Sequence, residues 1–278
     1  NLILKNTNMK VDKASEKQRN DLIGGFVYDI TLPLIKRGNT FNSIIDPKIS
    51  LRYSPGKNQN TSADEKRIEY NNIFDLERIK PVEGGGSTTV GFDYKLIEND
   101  SNNEFLKLGL AQVFREEENK NLPSNSTLKN SQSDIVGGIS FNGIENWTID
   151  YNFSADNDLS TLNLHRVSNT FKVNNFIHTF EFYEENNSLG DNSYYSNKLT
   201  YEANKNNFVS FRTRRNNKTN LTEFYNLIYE YKNDCLVASI NYNKEYYSNN
   251  ALEPTENLFF NITLIPLGST NTDNVLEN

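Results

Sequence analysis

The chain has 278 residues, of which only 36% are hydrophobic, yet it contains 17 Phe and 15 Tyr. The mean hydropathy of −0.70 is low for a globular core, whereas a disordered chain would hold few aromatic residues. The 29 basic and 36 acidic residues give a net charge of −7, which argues against nucleic acid as a partner. Strands that present lipid on one face and water on the other would combine low average hydropathy with many aromatic rings.

The sequence predicts no membrane-spanning helix, and we expect no signal peptide within its first residues. No run approaches the roughly 18 apolar residues that a transmembrane helix requires. The chain starts at Asn1 without a charged stretch followed by an apolar segment, so a signal peptide is expected upstream if the protein is exported.

The dominant pattern along the chain is strict alternation of apolar and polar residues, which is the period of a β-strand. The clearest example is Trp147, Ile149, Tyr151 and Phe153, which alternate with polar residues. The pattern predicts about thirteen strands and no helix. In chain order they lie near 22–35, 44–54, 89–96, 105–115, 133–141, 146–153, 160–168, 173–183, 194–202, 207–214, 225–231, 236–243 and 256–268.

The predicted connections alternate between short and long. Short turns are predicted at 142–145, 169–172, 203–206 and 232–235, and long loops at 55–87, 116–132, 184–193 and 247–255. Outer-membrane barrels have short periplasmic turns and longer external loops, whereas a soluble sandwich does not sort its connections in this way. We therefore predict an all-β, antiparallel transmembrane β-barrel whose last strand, 256–268, runs towards the periplasm.

Few residues suggest chemistry. His165 and His178 lie on different predicted strands without a carboxylate or thiol at ligand spacing, so we interpret them as ordinary strand residues. The acidic run 116–118 could bind a divalent ion, but such runs are usually only hydrated. The glycines at 84–86 lack the Lys-Ser/Thr of a phosphate loop and predict flexibility. No nucleophile–base pair is discernible, so the sequence predicts no enzyme, cofactor or metal.

Two further features leave alternatives open. Arg212, Arg214 and Arg215 cluster with Lys218 and could contact an anionic sugar or phosphate, or simply lie in a hydrated loop. Cys235 is the only cysteine, so it is either idle or pairs outside the chain. The predicted periplasmic turn around it lies in a compartment where disulfides persist.

Several short motifs are distinctive in their order and spacing. They are IDPK at 45–48, LRYSP at 51–55, RIEY at 67–70, DLERI at 75–79, TTVG at 88–91, YEYKNDC at 229–235 and the segment 252–260. Together they resemble the C-terminal half of the lipopolysaccharide-assembly outer-membrane protein family, LptD. The resemblance spans the chain from about residue 20 to residue 268.

The resemblance implies an outer-membrane translocon component that inserts lipopolysaccharide into the outer leaflet. It implies a barrel of about 26 strands, of which roughly half is present, so that 1–20 is an N-terminal edge segment, 21–268 the C-terminal part of the barrel and 269–278 a polar tail. It implies as partners lipopolysaccharide, outer-membrane lipid, an LptE-like plug lipoprotein inside the barrel and an LptA-like periplasmic bridge protein. The bridge would dock on an N-terminal domain outside this sequence.

The same resemblance assigns candidate site residues. Lipid is expected to leave through a seam between the first and last strands, and the seam positions of this chain are Leu258, Phe260, Ile262, Leu264 and Pro266. Polar positions expected to face the lumen are Asn241, Asn243, Asn261 and Thr263. The family often has two adjacent cysteines where this chain has Asp234 and Cys235, which implies one disulfide from Cys235 to the N-terminal region.

Two other classes of protein remain as alternatives. One is another outer-membrane channel, such as a porin-like barrel, although porins usually end in an aromatic residue and this chain continues past Gly268. The other is a soluble β-rich adhesin or binding module, which would fold without detergent.

Overall fold

The computed structural model describes residues 2–9, 19–55, 60–62, 66–79, 83–187, 190–246 and 254–265. The strands are β1 (Leu2–Met9), β2 (Arg19–Thr31), β3 (Leu34–Lys36), β4 (Phe41–Ser54), β5 (Gly85–Glu98), β6 (Glu104–Arg115), β7 (Ile135–Ile144), β8 (Trp147–Ala155), β9 (Leu162–Val173), β10 (Phe176–Asn187), β11 (Gly190–Asn204), β12 (Asn207–Asn216), β13 (Leu221–Lys232), β14 (Leu236–Glu245) and β15 (Thr255–Leu264). A short 3-10 turn lies at Asn125–Thr127. The prediction of an all-β, antiparallel fold is confirmed.

No helix within the described ranges is both long and apolar enough to span a membrane.

The start of the chain differs from the prediction in two ways. Strand β1 was not predicted, because residues 5–8 are all polar and break the alternation. The predicted strand 22–35 is two strands, β2 and β3, because Pro33 between them has no N–H to donate to a ladder. The Leu32 amide donates to the Pro47 carbonyl at 3.2 Å, and β3 then pairs with β4.

Two predicted connections are wrong. The predicted turn 169–172 lies inside β9, where the Thr170 and Thr179 hydroxyls bond at 3.1 Å. The predicted loop 184–193 is mostly strand, because β10 continues to Asn187 and β11 begins at Gly190. Polar residues in both segments suggested turns, but Thr170 bonds to Thr179 across the hairpin and Glu185 accepts a hydrogen bond from Arg67.

Asparagine shapes several of the tight turns. Asn102, Asn146, Asn174 and Asn220 have positive φ values of 55°, 61°, 51° and 56°. Asparagine tolerates this left-handed conformation better than most residues, because its side chain hydrogen-bonds to the local backbone. The abundance of asparagine therefore has a structural use at these hairpins.

The strands fall into two compact units. The first comprises 1–167 and 183–192, and the second comprises 168–182 and 193–278. In the first unit, β2, β4, β5, β6, β7 and β8 pair antiparallel in that order, and β1 pairs with β2. Described residues of two long connections, 66–79 after β4 and 116–134 after β6, pack against one face of this sheet.

The apolar core of the first unit lies beneath these two connections. Ile68, Ile73 and Ile79 come from the first connection, and Leu122 and Leu128 from the second. They pack against strand residues Ala111, Val113 and Val136. All the fully buried apolar side chains of the described residues belong to this unit.

In the second unit β11, β12, β13, β14 and β15 pair antiparallel in chain order. The register aligns Leu199, Phe211, Leu227, Tyr242 and Leu258 in one cross-strand row. Because successive side chains of a strand point to opposite faces, the neighbouring row lies on the other face of the sheet. That row consists of Lys198, Arg212, Asn226, Asn243 and Asn257.

Candidate functional site

The sheet of the second unit has one apolar face and one polar face. The apolar row from Leu199 to Leu258 is between 36% and 57% exposed, although every member is a large hydrophobic residue. A continuous exposed apolar face of this kind is unfavourable in water and is normally covered by lipid or protein. Alternation between such a face and a polar face is the pattern of a strand that crosses a membrane.

The predicted lumen-facing residues share the polar face. Asn243 lies opposite Asn257, and Asn241 lies opposite Phe259. Asn261 and Thr263 follow at alternate positions of β15, and the Asn226 amide donates to the Asn241 side-chain oxygen at 2.8 Å. The structure therefore groups these four residues, while their position in a lumen remains a prediction.

Strand β15 carries the predicted seam residues. Leu258, Phe260, Ile262 and Leu264 are 57%, 68%, 73% and 74% exposed and lie on the apolar face. The strand ends at Leu264 rather than at the predicted residue 268, and it pairs with β14 alone among the described strands. Pro266 lies outside the described residues, so its assignment to the seam remains a prediction.

Cys235 is exposed in the turn between β13 and β14. The Asn233 side-chain oxygen accepts hydrogen bonds from the Cys235 and Leu236 amides at 2.9 and 2.8 Å, and the Cys235 carbonyl accepts from the Ile265 amide. These bonds hold the backbone of the turn and leave the thiol accessible.

In the first unit, residues 66–79 together with Glu83 form a docked segment on one face of the sheet. This face carries Lys48, Asp93 and Arg115 and is called the polar face of the first unit. The ring of Tyr70 lies directly over Gly109 and Gly138, which face each other on β6 and β7. The Tyr70 hydroxyl donates to Asp93, and the Lys48 ammonium donates to the same carboxylate at 2.5 Å. Burial, together with the nearby Asp93, raises the pKa of Tyr70, so the hydroxyl stays protonated.

A buried ion cluster anchors the C-terminal end of the docked segment. The Glu83 carboxylate is 1% exposed and accepts hydrogen bonds from Arg52 at 3.2 Å, from Arg78 at 2.8 Å and from Arg115. Arg52 also donates to the Asp75 carbonyl. The three guanidinium groups outnumber the single carboxylate, so Glu83 supplies the negative charge that this cluster requires.

The charge state of Glu83 follows from its surroundings. Burial alone would raise the pKa of Glu83, but the positive charges of Arg78, Arg115 and Arg52 and the hydrogen bond from Arg78 outweigh it. The result is a lowering of the pKa from 4.5 to about 2. Glu83 is therefore ionised at every physiological pH.

Arg67 anchors the other end of the docked segment. Its Nε donates to Glu185 at 2.9 Å, its Nη2 donates to the Asn186 carbonyl at 3.2 Å, and its Nη1 lies 4.0 Å from Asp134. Asp134 is fully buried and accepts hydrogen bonds from Thr127, Ser154 and Asn163. The docked segment is thus tied to β10 at one end and to β4, β5 and β6 at the other.

The remaining candidates are not assembled into one site. His165 Nδ1 lies 3.2 Å from the Tyr151 hydroxyl, and the His178 ring packs near Phe171. Within the described ranges, no three of the His, Cys, Asp and Glu side chains cluster as metal ligands.

The four basic residues near the end of β12 are separated by the fold. Arg212 and Arg214 share the polar face with Phe224, whereas Arg215 donates to Asn220 in the following turn. Arg212 and Arg214 therefore share one surface, and Arg215 lies away from them.

Sequence reasoning missed the residues that hold the docked segment. Glu83, Arg115 and Asp134 were not singled out, and Arg52 and Arg78 were noted only as parts of motifs. One signal was available: Arg52 and Arg115 occupy alternating strand positions that should face the polar side, where a charged residue needs a partner. Nothing in the sequence identified Glu83 as that partner.

The all-β, antiparallel fold is that of a β-barrel fragment, a class of membrane protein whose strands alternate between an apolar and a polar face. Residues 4–189 match the family model described as LptD, LPS transport system D. The chain belongs to this family.

No curated protein matches the sequence. Among solved structures, a mutant of Rh. blastica porin aligns with a TM-score of 0.43 and 8% identity, over 89% of this chain and 82% of that chain. OccAB4 of Acinetobacter baumannii aligns with a TM-score of 0.32 and 11% identity, over 94% of this chain and 92% of that chain.

Proposed function

We propose that the protein is part of an outer-membrane translocon that inserts lipopolysaccharide into the outer leaflet of the bacterial outer membrane. The family match over residues 4–189 carries this proposal. The two-faced sheet supports it independently, because an amphipathic glycolipid needs a polar path for its sugars beside an apolar path for its acyl chains.

The polar face suits the passage of sugars rather than covalent chemistry. Asn226, Asn241 and Asn243 offer amide donors and acceptors in neighbouring rows, and such groups replace the hydration of hydroxyl groups at little cost. The protein would then work as a passage and not as an enzyme.

The apolar face suits the release of acyl chains. Leu258, Phe260, Ile262 and Leu264 give β15 a continuous apolar edge. If this strand is the seam strand, a lipid tail leaving sideways would meet only apolar side chains. Pro266, which cannot donate to a ladder, would then weaken the pairing at the end of that seam.

The docked segment covers part of the polar face, as expected of a passage that is closed to small solutes. It lies on the polar face of β4 to β7 and is fixed there by buried ion pairs. We infer that it blocks free diffusion of small solutes along that part of the polar face. A porin would instead keep this face open to water.

The partners follow from the same proposal. Lipopolysaccharide and outer-membrane lipid would contact the polar and apolar faces, respectively. An LptE-like plug lipoprotein would occupy the barrel, and an LptA-like periplasmic bridge protein would deliver the glycolipid through an N-terminal domain.

Depletion of the protein in its native bacterium tests the proposal. We expect lipopolysaccharide accessible to a surface label to fall and permeability to large hydrophobic antibiotics to rise, with both restored by the wild-type gene. Normal surface lipopolysaccharide after depletion, accompanied by reduced uptake of small hydrophilic solutes, would contradict the proposal and favour a porin-like channel. Folding of the purified protein without detergent would favour a soluble module.

A further inference from the structure

Two cations lie side by side on the polar face of the second unit. Lys198 on β11 and Arg212 on β12 are direct cross-strand partners in the antiparallel ladder. Directly opposed residues have Cβ atoms about 5 Å apart, and like charges in this position destabilise a sheet. Both side chains are exposed, and no ion pair joins either of them to an acidic side chain of the described part of the chain.

The neighbouring Arg214 shows how a cation on this face is usually neutralised. Arg214, two positions further along β12, forms an ion pair with Glu223 and stacks on Tyr194 at 5.0 Å and Phe224 at 5.2 Å. Arg212 stacks on the same Phe224 ring at 5.4 Å but has no such carboxylate. The ring restrains the plane of the Arg212 guanidinium and leaves its N–H edge available to a ligand.

Neutral donors surround the two cations. Asn226 follows Arg212 in the same row. In the next row, about 7 Å along the strands, the Thr200 and Ser210 hydroxyls bond to each other at 2.9 Å. The acidic residues of this face lie in other rows or are already paired. Glu202 and Glu230 both lie opposite Phe208, and Glu202 forms an ion pair with Lys172. Glu223 is paired with Arg214, and Glu245, opposite Phe224, accepts from Asn243 at 2.7 Å.

We propose that Lys198 and Arg212 form a binding site for an anionic group carried by a sugar, either a phosphate or a carboxylate. Such a group would neutralise the cross-strand repulsion and accept charge-assisted hydrogen bonds from both side chains. The ligand class rests on the proposed function, since an anionic glycolipid would present these groups to the polar face. The site itself is defined by the two unpaired cations.

The binding test uses the full-length protein in detergent. Its thermal-unfolding midpoint is measured with glucose 6-phosphate, with glucuronate, with neutral glucose and with sodium chloride at matched ionic strength. We expect at least one of the two anionic sugars, but neither glucose nor the salt, to raise the midpoint in the wild type. A response to only one of them assigns the site to phosphate or to carboxylate, and a response to both assigns it to their shared negative charge.

The variants separate a binding role from a structural one. Lys198→Gln should raise the apparent dissociation constant about tenfold, the loss expected for one charge-assisted bond. Lys198→Glu turns the repulsive pair into an attractive one, so its ligand-free midpoint should equal or exceed that of the wild type while its response to the anion disappears. Lys205→Glu makes the same charge change in an exposed turn outside this face and should respond like the wild type.

Two outcomes overturn the proposal. One is the absence of any response to either anion in the wild-type protein, and the other is an undiminished response in Lys198→Glu. Neither depends on transport: the anion response can persist when depletion of the protein leaves surface lipopolysaccharide normal, a result that contradicts only the proposed function.

Discussion

The ring of Tyr70 occupies the space above Gly109 that any other residue would fill with its own side chain, and its hydroxyl reaches Asp93 on the neighbouring strand. Tyr70 and Gly109 are far apart in sequence, yet the Tyr70 ring can occupy this position only because residue 109 has no side chain. A glycine in the middle of a strand normally weakens it. Here the absence of a side chain at Gly109 leaves the space that the Tyr70 ring occupies.

Replacing Gly109 should therefore release part of the docked segment. In Gly109→Ala the added methyl group would overlap the Tyr70 ring, and overpacking of this kind costs about 1–3 kcal/mol. We expect faster proteolysis and faster hydrogen exchange within residues 66–79. Gly86→Ala is the matched control, because no atom lies within 4 Å of its added carbon; equal protection in the two variants would refute the predicted role of Gly109.

Loss of the Glu83 charge should have a larger effect. Glu83→Gln leaves Arg52, Arg78 and Arg115 buried without a counter-charge, and breaking a buried ion pair on one side costs about 3–5 kcal/mol. We expect the docked segment to become accessible to protease in intact cells. Glu116→Gln removes an exposed carboxylate and should leave protection unchanged. A fully protected segment in Glu83→Gln would show that the cluster is not its anchor.

The same carboxylate predicts a dependence on pH. Because the pKa of Glu83 is lowered from 4.5 to about 2, its stabilising contribution is complete above the ordinary value. It declines as pH falls below about 4.5 and is lost below about 2. Proteolysis of the docked segment with an acid-active protease should therefore rise across this window. The Glu83→Gln variant should not show that dependence, and a wild-type segment released near neutral pH would contradict the assignment.

The two faces of the sheet should respond in opposite ways to a new charge. Ile240 lies on the apolar face opposite Tyr229 and Phe260, and its neighbour Ser239 lies on the polar face opposite Glu230 and Asn261. Lysine on a lipid-contacting strand face costs about 2–4 kcal/mol near the membrane midplane. Ile240→Lys should reduce the folded, membrane-integrated fraction on heat-modifiability gels, whereas Ser239→Lys should not. Equal losses would mean that the apolar face does not contact lipid.

The exposed thiol of Cys235 leads to a prediction about covalent coupling. We expect Cys235 to form a disulfide with a cysteine in the N-terminal region of the full-length protein, since its turn leaves the sulfur accessible. Non-reducing gels of the wild type and of Cys235→Ser should then differ in mobility, and reductant should abolish the difference. Identical mobility under both conditions would count against the bond.

Alternation in the sequence predicted most of the strands, because a sheet with one apolar and one polar face requires apolar and polar residues to alternate along each strand. The alternation failed where polar side chains continue a strand. Thr170 and Glu185 were predicted to lie in connections, but Thr170 bonds to Thr179 across a hairpin and Glu185 forms an ion pair with Arg67. The docked segment was not predictable, because its contacts join residues that no local pattern relates. Only the motifs at 67–70 and 75–79 marked it, and only through resemblance.

The ion pair between Arg67 and Glu185 closes a loop of 118 residues. Closing so long a stretch of chain is entropically costly until the intervening strands are paired. We therefore expect the pair to form after the strands that lie between its two residues have paired, whereas Arg78 and Glu83 are only 5 residues apart and can make their contact early. The segment should consequently dock in two stages, its C-terminal end first and its N-terminal end last. Complete docking of the segment would then occur only once this part of the sheet has folded.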